Sequence, residues 1–365
     1  MQIERAEFSN WLLQEHPLMD VRAPVEFLKG TLPGAQNVPL LDDDQRHQIG
    51  LRYAEHGEQA AIELGLQLAT PALRQARLAA WQHFITQHPT GALFCFRGGL
   101  RSRITQQWLA AEGIHYPLIK GGYKAVRRFL LDQWADCVDH APMRVLAGPT
   151  GSGKTSLLQQ WPQSIDLEGF ARHRGSVFGE TEHPQPAQID WEHAVVVQWL
   201  RRRSLSAAPV LVEDEARLIG RIFVPEPLQK CLREHPQIQL RCPRSERIAR
   251  LRHEFVLPLI ARSQQSAQGF SAIEQILRHN LRRIHKRLGG VCHDQLQTLL
   301  PQALHAVRQQ ADYTGFDRFI EILLQHYYDP MYDYQMRQTQ RKTVFTGNAQ
   351  EVSEWLLAQD GKQPQ

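Results

Sequence analysis

The sequence predicts an α/β chain of two consecutive domains, and three observations carry that expectation. Short apolar runs alternate with amphipathic helical stretches, the pattern that builds parallel sheets covered by helices. Gly148-Pro149-Thr150-Gly151-Ser152-Gly153-Lys154-Thr155-Ser156 fits the phosphate-loop spacing G-x-x-x-x-G-K-[ST], between a strand and a helix. Cys95 closes an earlier strand and leads into a second glycine-rich turn. At 365 residues the chain has room for two domains of ordinary size.

Composition narrows the classes further. Hydrophobic residues at 42% and charged residues at 22% describe a folded globular chain. No apolar run approaches the roughly 20 residues of a membrane helix, and the start, Met1 to Phe8, lacks the apolar segment of a signal peptide. The five cysteines (Cys95, Cys137, Cys231, Cys242 and Cys292) are odd in number and form no C-x-x-C pair. That argues against a disulfide framework or structural zinc, and for a reducing cytoplasm. The net charge of +4 is mild, so its distribution matters more than its sum.

In order, Pro17 to Arg22 reads as a short strand, with a helix start at Ala23-Pro24-Val25-Glu26-Phe27. Gly30 to Pro39 is a turn-rich passage closing on a brief strand, and residues 41–90 are polar and mostly helical in pattern. Ala92 to Phe96 is the strand before Arg97-Gly98-Gly99-Leu100-Arg101-Ser102, where Ser102 begins a helix. A cysteine at a strand end, before converging backbone N–H groups and beside Arg97 and Arg101, is placed for thiolate chemistry. Tyr116 to Ile119 is a further strand, and a helix from Phe129 leads to a boundary near residue 138.

The second domain opens on the strand Arg144 to Ala147 and the phosphate loop. Gly148, Gly151, Ser152, Gly153, Lys154, Thr155 and Ser156 are the candidate phosphate ligands. Glycines let N–H groups turn toward phosphate oxygens, and the helix N-terminus adds its positive end. Lys154 offers a point charge and Thr155 a hydroxyl to Mg²⁺. Ser164 to Glu168 reads as a strand, Trp191 to Arg203 as a helix, and Pro209 to Glu215 as a strand closing on three carboxylates. One of Glu213, Asp214 or Glu215 is expected to reach Mg²⁺ through water, Asp214 and Glu213 being the leading candidates. No tightly bound cofactor is expected. Gln237 to Cys242 is another strand of the same sheet, and the C-terminal end reads as a helix over Phe319 to His326, a strand from Thr343 and a closing helix over Val352 to Leu357.

From Arg241 to Gly290 there are eleven Lys and Arg against three Glu. Ile273, Ile276, Leu277, Leu281, Ile284 and Leu288 recur at helical spacing, opposite Arg278, Arg282, Arg283 and Lys286. The excess points to a polyanion, and nucleic acid fits better than a membrane because no apolar anchor accompanies it. Four tyrosines between Tyr327 and Tyr334 read as packing at a helix end rather than as stacking platforms for bases.

Asp20-Val21-Arg22, Glu26-Phe27, Gly30, Pro33-Gly34-Ala35 and Asn37-Val38-Pro39 resemble the signature of a rhodanese domain, and Cys95 to Ser102 resembles its active loop. Arg101 follows Cys95 with the C-x-x-x-x-x-R spacing, one residue longer than the usual sulfurtransferase loop and similar to the cysteine phosphatases that share the fold. With Asp166-Leu167-Glu168-Gly169, His173-Arg174-Gly175-Ser176, Glu213-Asp214-Glu215, Arg217-Leu218-Ile219-Gly220 and Tyr327-Tyr328-Asp329-Pro330, nearly the whole chain resembles the bacterial tRNA 2-selenouridine synthases. The resemblance implies a rhodanese-like domain over 1–138 and a P-loop NTPase-like parallel-sheet domain over 139–365, with a helical basic tRNA-binding region at about 241–340. It implies geranylation of wobble 2-thiouridine by geranyl diphosphate, then replacement by selenium from selenophosphate. Cys95 would carry selenium or orient selenophosphate beside Arg97 and Arg101, the phosphate loop would grip the diphosphate, and Arg278, Arg282, Arg283 and Lys286 would contact tRNA. Contact with the enzyme that supplies selenophosphate also follows from the resemblance. Two other readings fit the residues: a P-loop ATPase or kinase with a regulatory rhodanese module, and a persulfide sulfurtransferase acting on tRNA.

Overall fold

In the computed structural model, which describes residues 1–140, 142–264, 269–339 and 341–360, the short apolar runs become two parallel sheets. Residues 265–268 of the basic region lie outside the described residues. The chain divides into two units, Met1–Cys137 with Pro186–Leu205, and Val138–Gln185 with Ser206–Gln365.

In the first unit, β1 (Gln2–Ile3), β2 (Leu18–Asp20), β3 (Ala35–Asn37), β4 (Ala92–Phe94) and β5 (Leu118–Ile119) form a parallel sheet in the order β1-β5-β4-β2-β3. β2 and β4 are central, and all six of their residues are buried, as expected for strands covered on both faces. The polar stretch 41–90 forms two helices, Asp43–Leu68 and Pro71–Gln87, the first kinked at Gly57 and capped by Asp42. Trp81 of the second is wholly buried, and its indole N–H donates to the Val38 carbonyl at 3.0 Å.

The helix Gln188–Leu205 follows the phosphate loop in sequence but packs in the first unit, so a division by chain order at residue 138 does not describe it. Val196 and Val197 join the core of Phe94, Ile119, Val126 and Leu130. Asp190 accepts the Thr31 N–H at 2.7 Å, and Glu192 pairs with Arg127 at 2.6 Å.

In the second unit, β6 (Met143–Ala147), β7 (Ser164–Ile165), β8 (Val210–Glu213), β11 (Gln237–Leu240) and β12 (Thr343–Gly347) form a parallel sheet in the order β12-β11-β6-β8-β7. A separate antiparallel pair, β9 (Leu218–Ile219) and β10 (Ile222–Phe223), follows β8. β7 ends earlier than its composition suggests, because the Asp166 side chain accepts the Gly169 N–H at 2.6 Å and starts the helix Leu167–Ala171. The strand β6 feeds the phosphate loop, and the loop feeds the helix Lys154–Gln160. Between β11 and β12 lies a helical layer whose core includes Leu277, Leu281, Ile284, Leu300, Phe316 and Phe319. Two wide π turns interrupt it, Arg252–Val256 and Leu324–Tyr328. Among the described residues no helix is long and apolar enough to cross a membrane.

Candidate functional site

The first unit presents Cys95 at the end of β4, with its side chain 3% exposed. Its carbonyl accepts the Tyr123 N–H at 2.9 Å, and the Phe96 carbonyl accepts the Lys124 N–H at 2.9 Å, so the turn after β5 holds the loop. Gly122 makes this approach possible: it has φ +58°, and a Cβ there would overlap the Cys95 carbonyl. The helix Leu100–Ala111 begins behind the loop at Gly99, which brings no side-chain cap of its own. The rhodanese-like signature underlies this arrangement. Asp20 and Arg22 form a buried ion pair at 2.5 Å, and the Arg22 guanidinium lies 4.1 Å from the Tyr123 ring centroid and donates to the Gly30 carbonyl. Asn37 donates to the carbonyls of Asp20 and Arg22 at 3.0 and 2.9 Å.

The two candidate arginines of this loop behave differently. Arg101 makes a forked pair with Glu26 at 2.5 and 3.1 Å. Burial alone would raise the Glu26 carboxyl, but the Arg101 hydrogen bond and charge hold it below its ordinary value. Burial likewise opposes the Arg101 charge, and Glu26, with a smaller share from Cys95, more than offsets it. Arg101 is therefore held near the sulfur by a carboxylate. Arg97 is exposed beside the Phe96 ring, 5.9 Å from its centroid.

In the second unit, Gly151 and Gly153 take φ of +79° and +96°, and Lys154 Nζ donates to the Gly148 carbonyl at 2.8 Å. The helix Arg244–Leu251 braces the loop from outside. Arg247 donates to the Thr150 carbonyl at 2.8 Å and Arg250 to the Gly151 carbonyl at 2.6 Å. Arg247 is itself buried and forked on Asp329 at 2.5 and 3.1 Å. Both arginines counted toward polyanion binding in the sequence, and both are committed to the loop. Asp329, from Tyr327-Tyr328-Asp329-Pro330, anchors this brace.

Gly148, Gly151, Ser152, Gly153, Lys154 and Thr155 line a cavity of about 520 Å³, whereas Ser156 is exposed and does not line it. Ser152 is 3% exposed, and its Oγ has no hydrogen-bond partner among the described residues. Glu168 and Glu215 also line the cavity, and one oxygen of each lies within 4.8 Å of the other and of one from the fully buried Glu213. Burial first, then opposition by Lys154, leaves Glu168 pushed up to about 7. Burial and the neighbouring Glu168 raise Glu213 and Glu215 well above the carboxylate range. Asp214 also lines the cavity, but its carboxylate is taken up by Arg341 at 2.7 Å and it is not one of the three. Glu168 stands in Asp166-Leu167-Glu168-Gly169, a run whose spacing does not by itself mark it as a partner of Glu213 and Glu215.

A second, apolar cavity adjoins the first. Phe178, Leu259, Ile273, Leu277, Phe319 and Ile320 are among its walls, and it shares Thr150, Ser176, Leu251, Phe255 and Tyr328 with the phosphate-loop cavity. Tyr328 and Ser176 are joined hydroxyl to hydroxyl at 2.6 Å. Both π turns contribute to this shared wall, through Phe255 and Tyr328.

Residues 141–363 match the family model described as the tRNA 2-selenouridine synthase AAA domain. Proteins named tRNA 2-selenouridine synthase are similar over almost the full length. The one from Marinobacter nauticus is 46% identical, covering 96% of each chain. Those from Cupriavidus necator and Shewanella piezotolerans are 44% and 42% identical, covering 98% of each chain. The chain belongs to the tRNA 2-selenouridine synthase family. A solved N-terminal domain of an ATP/GTP-binding protein from Clostridium difficile 630 aligns with 36% of this chain and 99% of its own, at 24% identity and a TM-score of 0.32, a likeness too slight to carry an argument.

In this member of the tRNA 2-selenouridine synthase family, the basic helix Gly269–Leu288 carries its four candidate cations in different settings. Arg278 is half-buried and paired with Glu274 at 2.7 Å, with Gln297 as a further partner. Arg283 lines the phosphate-loop cavity, as does the neighbouring Arg287. Arg282 and Lys286 are exposed. Tyr327 and Tyr328 are 6% exposed and packed edge to face, as the packing reading expects, while Tyr334 stays exposed.

Proposed function

We propose that this enzyme geranylates the 2-thio group of a wobble 2-thiouridine in tRNA and then replaces the geranylthio group with selenium. In the first step the thiocarbonyl sulfur attacks the allylic carbon of geranyl diphosphate. A C–S bond forms, the C–O bond breaks, diphosphate leaves with the electron pair and the N3 proton passes to solvent. In the second, selenium supplied by selenophosphate adds at ring carbon 2 and the geranylthiolate departs; water takes up the phosphoryl group as phosphate. Alkylation makes the second step feasible by turning a thiocarbonyl into a leaving group.

The observation that supports this reading best is the apolar cavity that shares five wall residues with the phosphate-loop cavity. A diphosphate head suits the phosphate-loop cavity and a branched hydrocarbon tail suits the lining of the apolar one, which encloses about 50 Å³ and must widen to take ten carbons, whereas a nucleotide would leave it unused. Charge builds on the diphosphate as the allylic bond breaks, and a preplaced Lys154 stabilises it there. The test is mass spectrometry of tRNA nucleosides after incubation with geranyl diphosphate and then selenophosphate. Leu259 is half-buried on the apolar wall. Leu259→Trp should raise the KM for geranyl diphosphate about tenfold or more, on the scale of shape discrimination in apolar pockets. The five-carbon dimethylallyl diphosphate should be affected less than threefold; equal losses for both would remove the tail from this cavity.

The exposed residues Arg282 and Lys286, with Arg283 at the cavity, are the proposed tRNA phosphate contacts; the pairing of Arg278 makes it the weakest of the four. Removing Arg282 and Lys286 together should lower the slope of log affinity against log salt by about 1 to 2. An unchanged slope would discard the assignment.

A further inference from the structure

We infer that Glu168, Glu213 and Glu215 form a divalent-cation site of the Mg²⁺ or Mn²⁺ class beside the phosphate-loop cavity, which Glu168 and Glu215 line. They come from two segments: Glu168 from the first turn of the helix after β7, and Glu213 and Glu215 from the end of β8. One oxygen from each falls within 4.8 Å of the others. Oxygens bound about 2.1 Å from one octahedral ion stand about 3 to 4 Å apart, so the three need only a small contraction to share an ion.

The second observation is the state of Glu213. It is fully buried, one oxygen accepts the Glu168 N–H at 2.7 Å, and the other has no partner among the described residues. A buried carboxylate oxygen without a donor is uncommon and calls for an explanation such as an ion. The neighbouring cations make their direct contacts with other groups. Lys154 donates to the Gly148 carbonyl, Arg174 pairs with Glu254 at 2.7 Å, and Arg341 takes Asp214. Gly175 keeps the surroundings narrow: it has φ +57°, and a Cβ there would overlap Glu168 Oε1 and lie 3.4 Å from Glu215 Oε2.

Three carboxyl oxygens, with no nitrogen or sulfur among them, select a hard cation. Three protein ligands also leave coordination positions for water or phosphate oxygens. Glu168 and Glu215 both feel the charge of Lys154, so an ion there would lie beside phosphates held by the loop. The site differs from the sequence expectation, since Asp214 is excluded and Glu168 included. The carboxylates themselves carry the site; only its use in diphosphate departure rests on the prenyl-transfer reading.

The test is Mn²⁺ binding to the full chain without substrates, followed by the electron paramagnetic resonance signal of free Mn²⁺ and by thermal melting. One Mn²⁺ per chain should bind and be displaced by Mg²⁺. E168Q, E213Q and E215Q should each weaken binding at least tenfold and abolish the rise in melting temperature that Mn²⁺ gives the parent, while D214N leaves both unchanged. If E213Q fails to fold, E215Q at the more accessible position decides. Failure of the parent to bind Mn²⁺, or weaker binding in D214N with E168Q and E215Q unaffected, would overturn the site. Failure of prenyl transfer would show separately, as absence of the geranylated nucleoside with Mn²⁺ binding intact.

Discussion

Cys95→Ala is expected to abolish selenium incorporation while geranylation proceeds within about twofold of the parent rate. The expectation follows from where the parts lie. Every residue assigned to the diphosphate and the prenyl tail belongs to the second unit, and Cys95 belongs to the first. The substitution removes one buried sulfur from a loop whose path is fixed by the Tyr123 and Lys124 amides and by Gly122, not by the thiol. Its cost to stability should be on the order of 1 to 2 kcal/mol, the scale of a small truncation in a packed site. The product should therefore stop at geranylated tRNA, read as accumulation of the geranylthio nucleoside by mass spectrometry. Loss of both activities with an unaltered melting curve would mean that the two reactions share Cys95, against the division proposed here. The Glu26–Arg101 pair bears on how the donor binds. A guanidinium already neutralised by a carboxylate attracts an anion less than a free one, so the backbone amides and Arg97 must contribute more than the arginine spacing alone suggests.

What was legible in the sequence was whatever is contiguous. The Cys95 loop and the phosphate loop are each a single run of residues between a strand and a helix, so spacing alone locates them. The alternation of strands and helices was similarly open, because apolar periodicity is local. Features assembled from distant segments were not. Glu168 meets Glu213 across 45 positions of chain, and nothing in Asp166-Leu167-Glu168-Gly169 announces the partner. Arg247 and Arg250 raised the basic count, yet a charge count carries no direction, and these two point at loop carbonyls. Arg278 is paired with Glu274 one turn away, which weakens its claim on tRNA, and helical spacing permits that pairing but does not require it. The helix Gln188–Leu205 has an apolar face that reads the same whichever sheet it covers. The apolar cavity draws its walls from residues between Thr150 and Tyr328, and only folding collects them.

Lys154→Ala should lower the rate of geranyl transfer by about 100- to 1,000-fold, the loss expected when a preorganised charge aimed at a developing anion is removed. That corresponds to roughly 2.7 to 4 kcal/mol of transition-state stabilisation, so the effect should fall mainly on kcat and less on the KM for geranyl diphosphate. Selenation of tRNA that is already geranylated should be unaffected, which separates this variant from a misfolded one. The fold should survive. Lys154 donates to the Gly148 carbonyl, and without it the loop is still braced by Arg247 and Arg250, with Asp329 behind them. The carboxylates that lose the lysine's charge lie where burial already favours protonation, so they take up protons instead of driving the unit apart. An ATP-driven mechanism makes the opposite forecast: geranylation would require ATP, and Lys154→Ala would remove ATP hydrolysis while leaving prenyl diphosphate binding intact. A parent reaction that stops without ATP, with Lys154→Ala losing ATP hydrolysis and geranylation together while geranyl diphosphate still binds, would return the loop to nucleotide chemistry. Loss of geranylation with no nucleotide present would leave the diphosphate as the group that Lys154 serves.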